Sequence, residues 1–160
     1  MRVAVAQIEP KLGEKDRNLE ACLSRMEEAA GVGATLLVLP ECAIPGYMFG
    51  SAEEAMPYAE EIPGPSSEAL ESACRRLDMH VACGLLERDG DLLHNAAVLI
   101  GPDGLVGTYR KSHLPYLGVD RFVTPGDELP VWDTPLGRIG VEICYHGELV
   151  TETSFSRAPA

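Results

Sequence analysis

No apolar run in this 160-residue sequence approaches the roughly 18 residues that span a bilayer, so no membrane helix is expected. Basic charge is short as well. Lys and Arg number 13 against 25 Asp and Glu, a net charge of −12 that argues against nucleic-acid backbone binding, which needs a basic face. No CxxC or HxxxH pair occurs, so no structural zinc site is expected. The cysteines, Cys22, Cys42, Cys74, Cys83 and Cys144, are odd in number and widely spaced, unlike a disulfide framework. "MRVAVAQIEP" offers only a short apolar run, too little for a secretory leader, and the expectation is a cytoplasmic chain. Internal repeats and low-complexity tracts are absent too.

What is there reads as one globular domain with 46% hydrophobic and 24% charged residues. "VAVAQI" (3–8) and "TLLVL" (35–39) are nearly continuous apolar runs, the pattern of strands covered on both faces. Between them Leu19, Cys22, Leu23 and Met26 form a helical stripe, and Gly31 is a fitting stop. A long loop rich in Pro and Gly follows, over 40–67. A second helical stripe comes next: Leu70, Ala73, Cys74 and Leu77, with Glu68 near its start and Arg75 and Arg76 near its end, as the helix dipole favours. "RDGD" (88–91) and "GPDG" (101–104) are Asp-Gly turns that divide the next segment into a three-stranded meander. "LPVWDTPLGRIGVEIC" adds two more strands around "TPLG". The fold class is α/β, with a mixed sheet.

Three of these strands end on a reactive side chain. "TLLVLPE" ends on Glu41, "LVGTYRK" on Lys111 and "RIGVEIC" on Cys144. Strand ends are where sites assemble in α/β sheets. A thiol, a carboxylate and an ammonium together can attack a carbonyl or nitrile carbon, move the proton and stabilise the oxyanion. Each residue also has an ordinary reading: a loop carboxylate, a solvated strand-end charge, a small buried hydrophobe. Lys111 is one of three lysines against ten arginines, a hint that a compact ammonium is wanted there. Alternation along the last strand places Cys144 on one face with Gly140 and Glu142. His113, two positions after Lys111, shares its face and is a candidate substrate contact. His146 sits beside Cys144 but in a stretch without apolar periodicity, and is set aside.

At these residues a resemblance becomes specific. "VAVAQIEP…DRNL", "LLVLPECAIPGY", "YRKSHLP" and "GRIGVEICY", in that order, resemble the N-terminal part of the nitrilase superfamily of carbon–nitrogen hydrolases. The resemblance implies an α-β-β-α sandwich with mixed sheets and no cofactor or metal. It implies Glu41 as general base, Lys111 as oxyanion-stabilising lysine and Cys144 as nucleophile. Asp120 is the nearest candidate for a second acid, and Tyr47 and Tyr116 for pocket walls. The implied reaction is hydrolysis of a small amide or N-carbamoyl substrate through a Cys144 thioester, in proteins that are homo-oligomers at full length. After Tyr145 the superfamily pattern is lost. The expectation is therefore an N-terminal hydrolase portion over 1–145 and an aberrant, disordered tail over 146–160. The C-terminal half of the sandwich is expected to be missing through a frameshift, an early stop or a fragmentary gene model, and the chain to be inactive, poorly soluble or dependent on a partner. Two rivals remain open: a non-catalytic fragment acting as an interaction module, and a thiol redox protein using Cys144.

Overall fold

The computed structural model describes residues 1–144. A five-stranded mixed sheet runs in the order β1 (Val3–Val5), β2 (Leu36–Val38), β3 (His80–Asp89), β4 (Leu92–Gly101), β5 (Gly104–Arg110). β1, β2 and β3 are parallel, and β3, β4 and β5 form the antiparallel meander with its two Asp-Gly turns. β6 (Val131–Thr134) and β7 (Gly137–Gly140) make a separate hairpin. No helix among the described residues is long and apolar enough to cross a membrane.

The helical stripes both fold as read. α1 (Lys15–Gly31) buries Cys22, Met26 and Ala29, and α3 (Pro65–Leu77) buries Leu70, Ala73 and Cys74. Both pack on one sheet face, against Leu37, Val81, Cys83, Leu85, Val98 and Ile100. Burying each large aliphatic side chain there contributes roughly 1.5–3 kcal/mol. Glu60 fixes the start of α3. Its carboxylate accepts from the Ser66 N–H and hydroxyl at 2.8 and 2.9 Å, and Lys15 of α1 pairs with it at 2.5 Å. On the opposite sheet face Leu36, Ala82 and Leu99 meet Trp132, Leu136, Ile139 and Val141 of the hairpin region.

Several boundaries differ from the sequence reading. α1 runs through Gly31, and the left-handed residue that ends the turn is Gly33, at φ 77°. The 40–67 segment is not all loop: it holds a short helix, α2 (Ala52–Ala55), and a 3-10 turn over Met56–Tyr58. β1 is shorter than "VAVAQI" and is not covered on both faces. Among the described residues it is a sheet edge, hydrogen-bonded to β2 alone, and Val3 and Val5 stay 48% and 74% exposed. The last strand does not reach Cys144. The β6–β7 ladder closes at Val131↔Gly140, so the backbone leaves the strand there and the expected face-sharing of Gly140, Glu142 and Cys144 does not apply. The expectation for the 146–160 tail lies outside the described residues.

Candidate active site

Glu41 follows β2 on a segment pressed directly onto β3. Gly84 makes that approach possible. Its N–H donates to the Pro40 carbonyl at 3.2 Å and its carbonyl accepts from Ile44 N–H at 3.4 Å. A Cβ at Gly84 would sit 2.6 Å from Cys42 N and Pro40 O and 2.7 Å from Glu41 Cα. Glycine inside a strand here marks close backbone approach. Cys42, next in the chain, has φ 47° and is fully buried.

Lys111 lies one residue past β5. Its N–H donates to the Asn95 carbonyl at 2.8 Å, continuing the β4–β5 pairing. Its ammonium is wholly buried and donates to Glu41 Oε1 at 2.7 Å and to Asp120 Oδ2 at 2.6 Å. Asp120 comes from a 3-10 turn over Gly118–Arg121 and is also fully buried. Tyr47 donates its hydroxyl to Asp120 Oδ2 at 2.9 Å. Asn95 of β4 completes the cluster, its amide nitrogen 2.7 Å from Glu41 Oε1 and 2.8 Å from Asp120 Oδ1.

Two carboxylates and one ammonium give this cradle a formal charge of −1. Burial presses the Lys111 ammonium towards losing its proton, but the hydrogen bonds and charges of Asp120 and Glu41 outweigh it and hold its pKa above the ordinary lysine value. Burial, then the hydrogen bond to Asp120, pushes the Tyr47 phenol far up, so it stays a neutral donor. Among the described residues no group of three or more His, Cys, Asp or Glu is placed to hold a metal ion.

Cys144 reaches the site from the other side. It is exposed and has φ 49°, in the left-handed region that a non-glycine residue adopts at a cost. It lines a cleft of about 90 Å³ together with Glu41, Pro40, Gly84, Ala97 and Ile143. Glu41 is thus the shared member: it lines the cleft with Cys144 and accepts from the Lys111 ammonium. Ile143 packs against Ala97 and Tyr109 and anchors the segment that carries Cys144.

Of the further sequence candidates, Asp120 and Tyr47 join the cradle. Tyr116 is 80% exposed at φ 62°, and His113 is exposed with its Nδ1 3.1 Å from the Ser112 hydroxyl; neither belongs to the cradle. His146 lies outside the described residues. Sequence reasoning missed Asn95, although a signal existed. It is a polar residue inside the apolar strand "LLHNAAVLI", where a buried amide must find partners.

Comparison with known proteins identifies the family and the fold. The carbon-nitrogen hydrolase family model matches residues 2–153. A protein named nitrilase from Pyrococcus abyssi is 38% identical over 147 residues, which are 91% of this chain and 56% of that protein. Human omega-amidase NIT2 is 35% identical over 154 residues, 90% of this chain and 54% of that protein. Among solved structures, Saccharomyces cerevisiae Nit3, described as a member of branch 10 of the nitrilase superfamily, superposes with a TM-score of 0.79 at 26% identity over 91% of this chain and 56% of that one. XC1258 from Xanthomonas campestris superposes at 0.80 over 92% of this chain and 54% of that one, with 23% identity that speaks to the fold alone. The chain spans about half the length of the curated relatives it matches. With a family model matched over nearly the whole chain and relatives 35–38% identical over nine-tenths of it, the chain belongs to the carbon–nitrogen hydrolase family.

Proposed function

We propose that this chain carries the catalytic face of an amide-hydrolysing carbon–nitrogen hydrolase, with Cys144 as nucleophile, Glu41 as general base and Lys111 as electrostatic support. The observation that carries this reading is the position of Glu41, bonded to a buried ammonium on one side and lining the Cys144 cleft on the other. In the forward step Cys144 Sγ attacks the amide carbon while Glu41 takes the thiol proton. The tetrahedral intermediate collapses to a Cys144 thioester as ammonia or an amine leaves with a proton returned by Glu41. A water deprotonated by Glu41 then releases the acid and restores the thiol.

Lys111 has two of its three N–H donors committed to carboxylates, leaving one for a developing oxyanion. Because Glu41 and Asp120 already match its charge, thiol activation by a neighbouring free cation has weaker support than proton acceptance by Glu41. Amides are preferred as substrates because relatives named omega-amidase share a third or more of the aligned residues. Ammonia release from short primary amides tests the reading. Cys144→Ser and Glu41→Gln should each reduce turnover by at least about 10²-fold. Turnover that survives Cys144→Ser would sink it.

A second reading, an interaction module without catalysis, draws on the exposed valines of edge strand β1. A stable assembly by mass measurement in solution, with no turnover and Cys144 labelling that Glu41→Gln leaves unchanged, would favour it.

A further inference from the structure

Asn95 is 1% exposed, and each polar atom of its side chain has a defined partner. Its amide nitrogen has two hydrogens and two carboxylate partners, Glu41 Oε1 at 2.7 Å and Asp120 Oδ1 at 2.8 Å. Its carbonyl oxygen accepts from the Cys42 thiol at 3.6 Å. Burial, then the charges of Glu41 and Asp120, pushes the Cys42 thiol well up, so it stays protonated and able to donate. The amide cannot be turned over without setting its oxygen against two carboxylates. Its backbone carbonyl holds Lys111 at 2.8 Å. Asn95 and Lys111 therefore grip the same two acids, one as a neutral donor pair and one as a cation.

The oxygen accounting on Glu41 follows. Oε1 accepts from both Lys111 and Asn95, and Oε2 has no hydrogen-bond partner among the described residues. We infer that Asn95 is the positioning residue of the general base: with Lys111 it saturates Glu41 Oε1, leaving Oε2 as the oxygen that takes the Cys144 proton. An aspartate at this position would add a third carboxylate, and an apolar residue would leave Glu41 free to rotate about its side-chain bonds.

This inference rests on the proposed pairing of Glu41 with Cys144, and the test separates the two. The probe is iodoacetamide, with labelling of Cys144 followed by mass spectrometry on the intact chain. The Sγ–C bond forms as the C–I bond breaks, iodide leaves, and the thiol proton goes to Oε2. Four proteins form a cycle: the parent, Asn95→Leu, Glu41→Gln and the double variant. In the Glu41 background Asn95→Leu should slow Cys144 labelling about tenfold or more and move its pH profile. In the Glu41→Gln background it should change the rate by less than about twofold. Equal slowing in both backgrounds would mean a merely structural role and overturns the inference. Slowing by Glu41→Gln without any by Asn95→Leu overturns it while sparing the proposed function. No effect of Glu41→Gln overturns both. Val98→Ala, on the helix-covered face of the same strand, controls for lost stability and should keep the parent profile. If Asn95→Leu does not fold, Asn95→Ser takes its place in the cycle and is read by the same outcomes.

Discussion

Replacing Gly84 with alanine puts the placement of Glu41 to a direct test. The added Cβ would lie 2.6 Å from two backbone atoms of the Pro40–Cys42 segment, whereas ordinary contact begins at 3.4 Å. Relief requires a displacement of about 0.8 Å, and the colliding atoms are backbone, not the pliable end of a side chain. β3 cannot retreat easily, because β2 and β4 flank it and the α1–α3 core backs it. The Glu41 segment must therefore lift. Overpacking of this kind costs about 1–3 kcal/mol. For a chain of this size each kcal/mol is roughly 2–4 °C in Tm, so Gly84→Ala should lower Tm by about 2–12 °C. Misplacing a catalytic group by about 1 Å can cost about 10²-fold in rate, so Glu41-dependent labelling of Cys144 should collapse as well. Gly31→Ala is the contrast. Nothing lies within 4 Å of its Cβ and it ends α1, so it should stabilise by about 0.4–1 kcal/mol. Thermal unfolding by circular dichroism and thiol labelling read both variants. A Gly84→Ala chain with unchanged Tm and unchanged labelling would refute the argument.

Asp120→Ala removes one of the two carboxylates on a fully buried ammonium and should cost about 3–5 kcal/mol in urea unfolding, a large part of a typical domain's stability; a loss under about 1 kcal/mol would contradict the cradle. Gly107→Ala sets a Cβ into the ring of Trp132, the chain's single tryptophan, so displacement of the β6–β7 hairpin should red-shift its fluorescence, and an unchanged spectrum would show that the hairpin is held otherwise. Raised pKa values at Lys111 and Tyr47 mean that the folded chain keeps protons the unfolded chain releases above their ordinary 10.5 and 10.0. Their contributions are complete below those values and fall away as pH rises through them towards the folded-state values, so stability should drop above about pH 10. Tyr47→Phe should flatten that loss, and an identical alkaline limb in both proteins would deny Tyr47 a part in it.

The elements legible in the sequence were those whose cause is local. Asp-Gly turns delimit the meander because their chemistry suits a tight hairpin, and the α1 and α3 stripes are written at helical spacing. What could not be read depended on neighbours distant in the chain. "VAVAQI" and "TLLVL" look alike, yet the hairpin region packs over Leu36 and Val38 of β2 and leaves Val3 and Val5 of β1 exposed, so only one is covered on both faces. The pattern "RIGVEIC" alternates up to Cys144, but pairing sets where a strand stops, and β6 offers no partner beyond Val131. Glu41 and Lys111 were legible as strand-end residues. That one ammonium would bind both Glu41 and Asp120 depends on the 3-10 turn over Gly118–Arg121, which no periodicity announces.

The two sides of the site are held by different means, which bears on how it works. Lys111, Asp120 and Asn95 are each at most 1% exposed, and hydrogen bonds link them through β4, the end of β5 and the 3-10 turn. The Glu41 side is therefore built into the main sheet and costs little to keep in place once that sheet has formed. Cys144 instead hangs from the β7 end through the packing of Ile143, exposed and in a left-handed conformation. Strain of that kind costs on the order of 1–3 kcal/mol and persists only where surrounding contacts hold it. A change that loosens the hairpin should therefore move Cys144 first and leave the Glu41–Lys111–Asp120 cradle intact, whereas a change at β4 or at Asp120 should disturb Glu41 with Cys144 still in reach of reagent. The placement of Glu41 is a property of the sheet, and that of Cys144 a property of the hairpin docked on it.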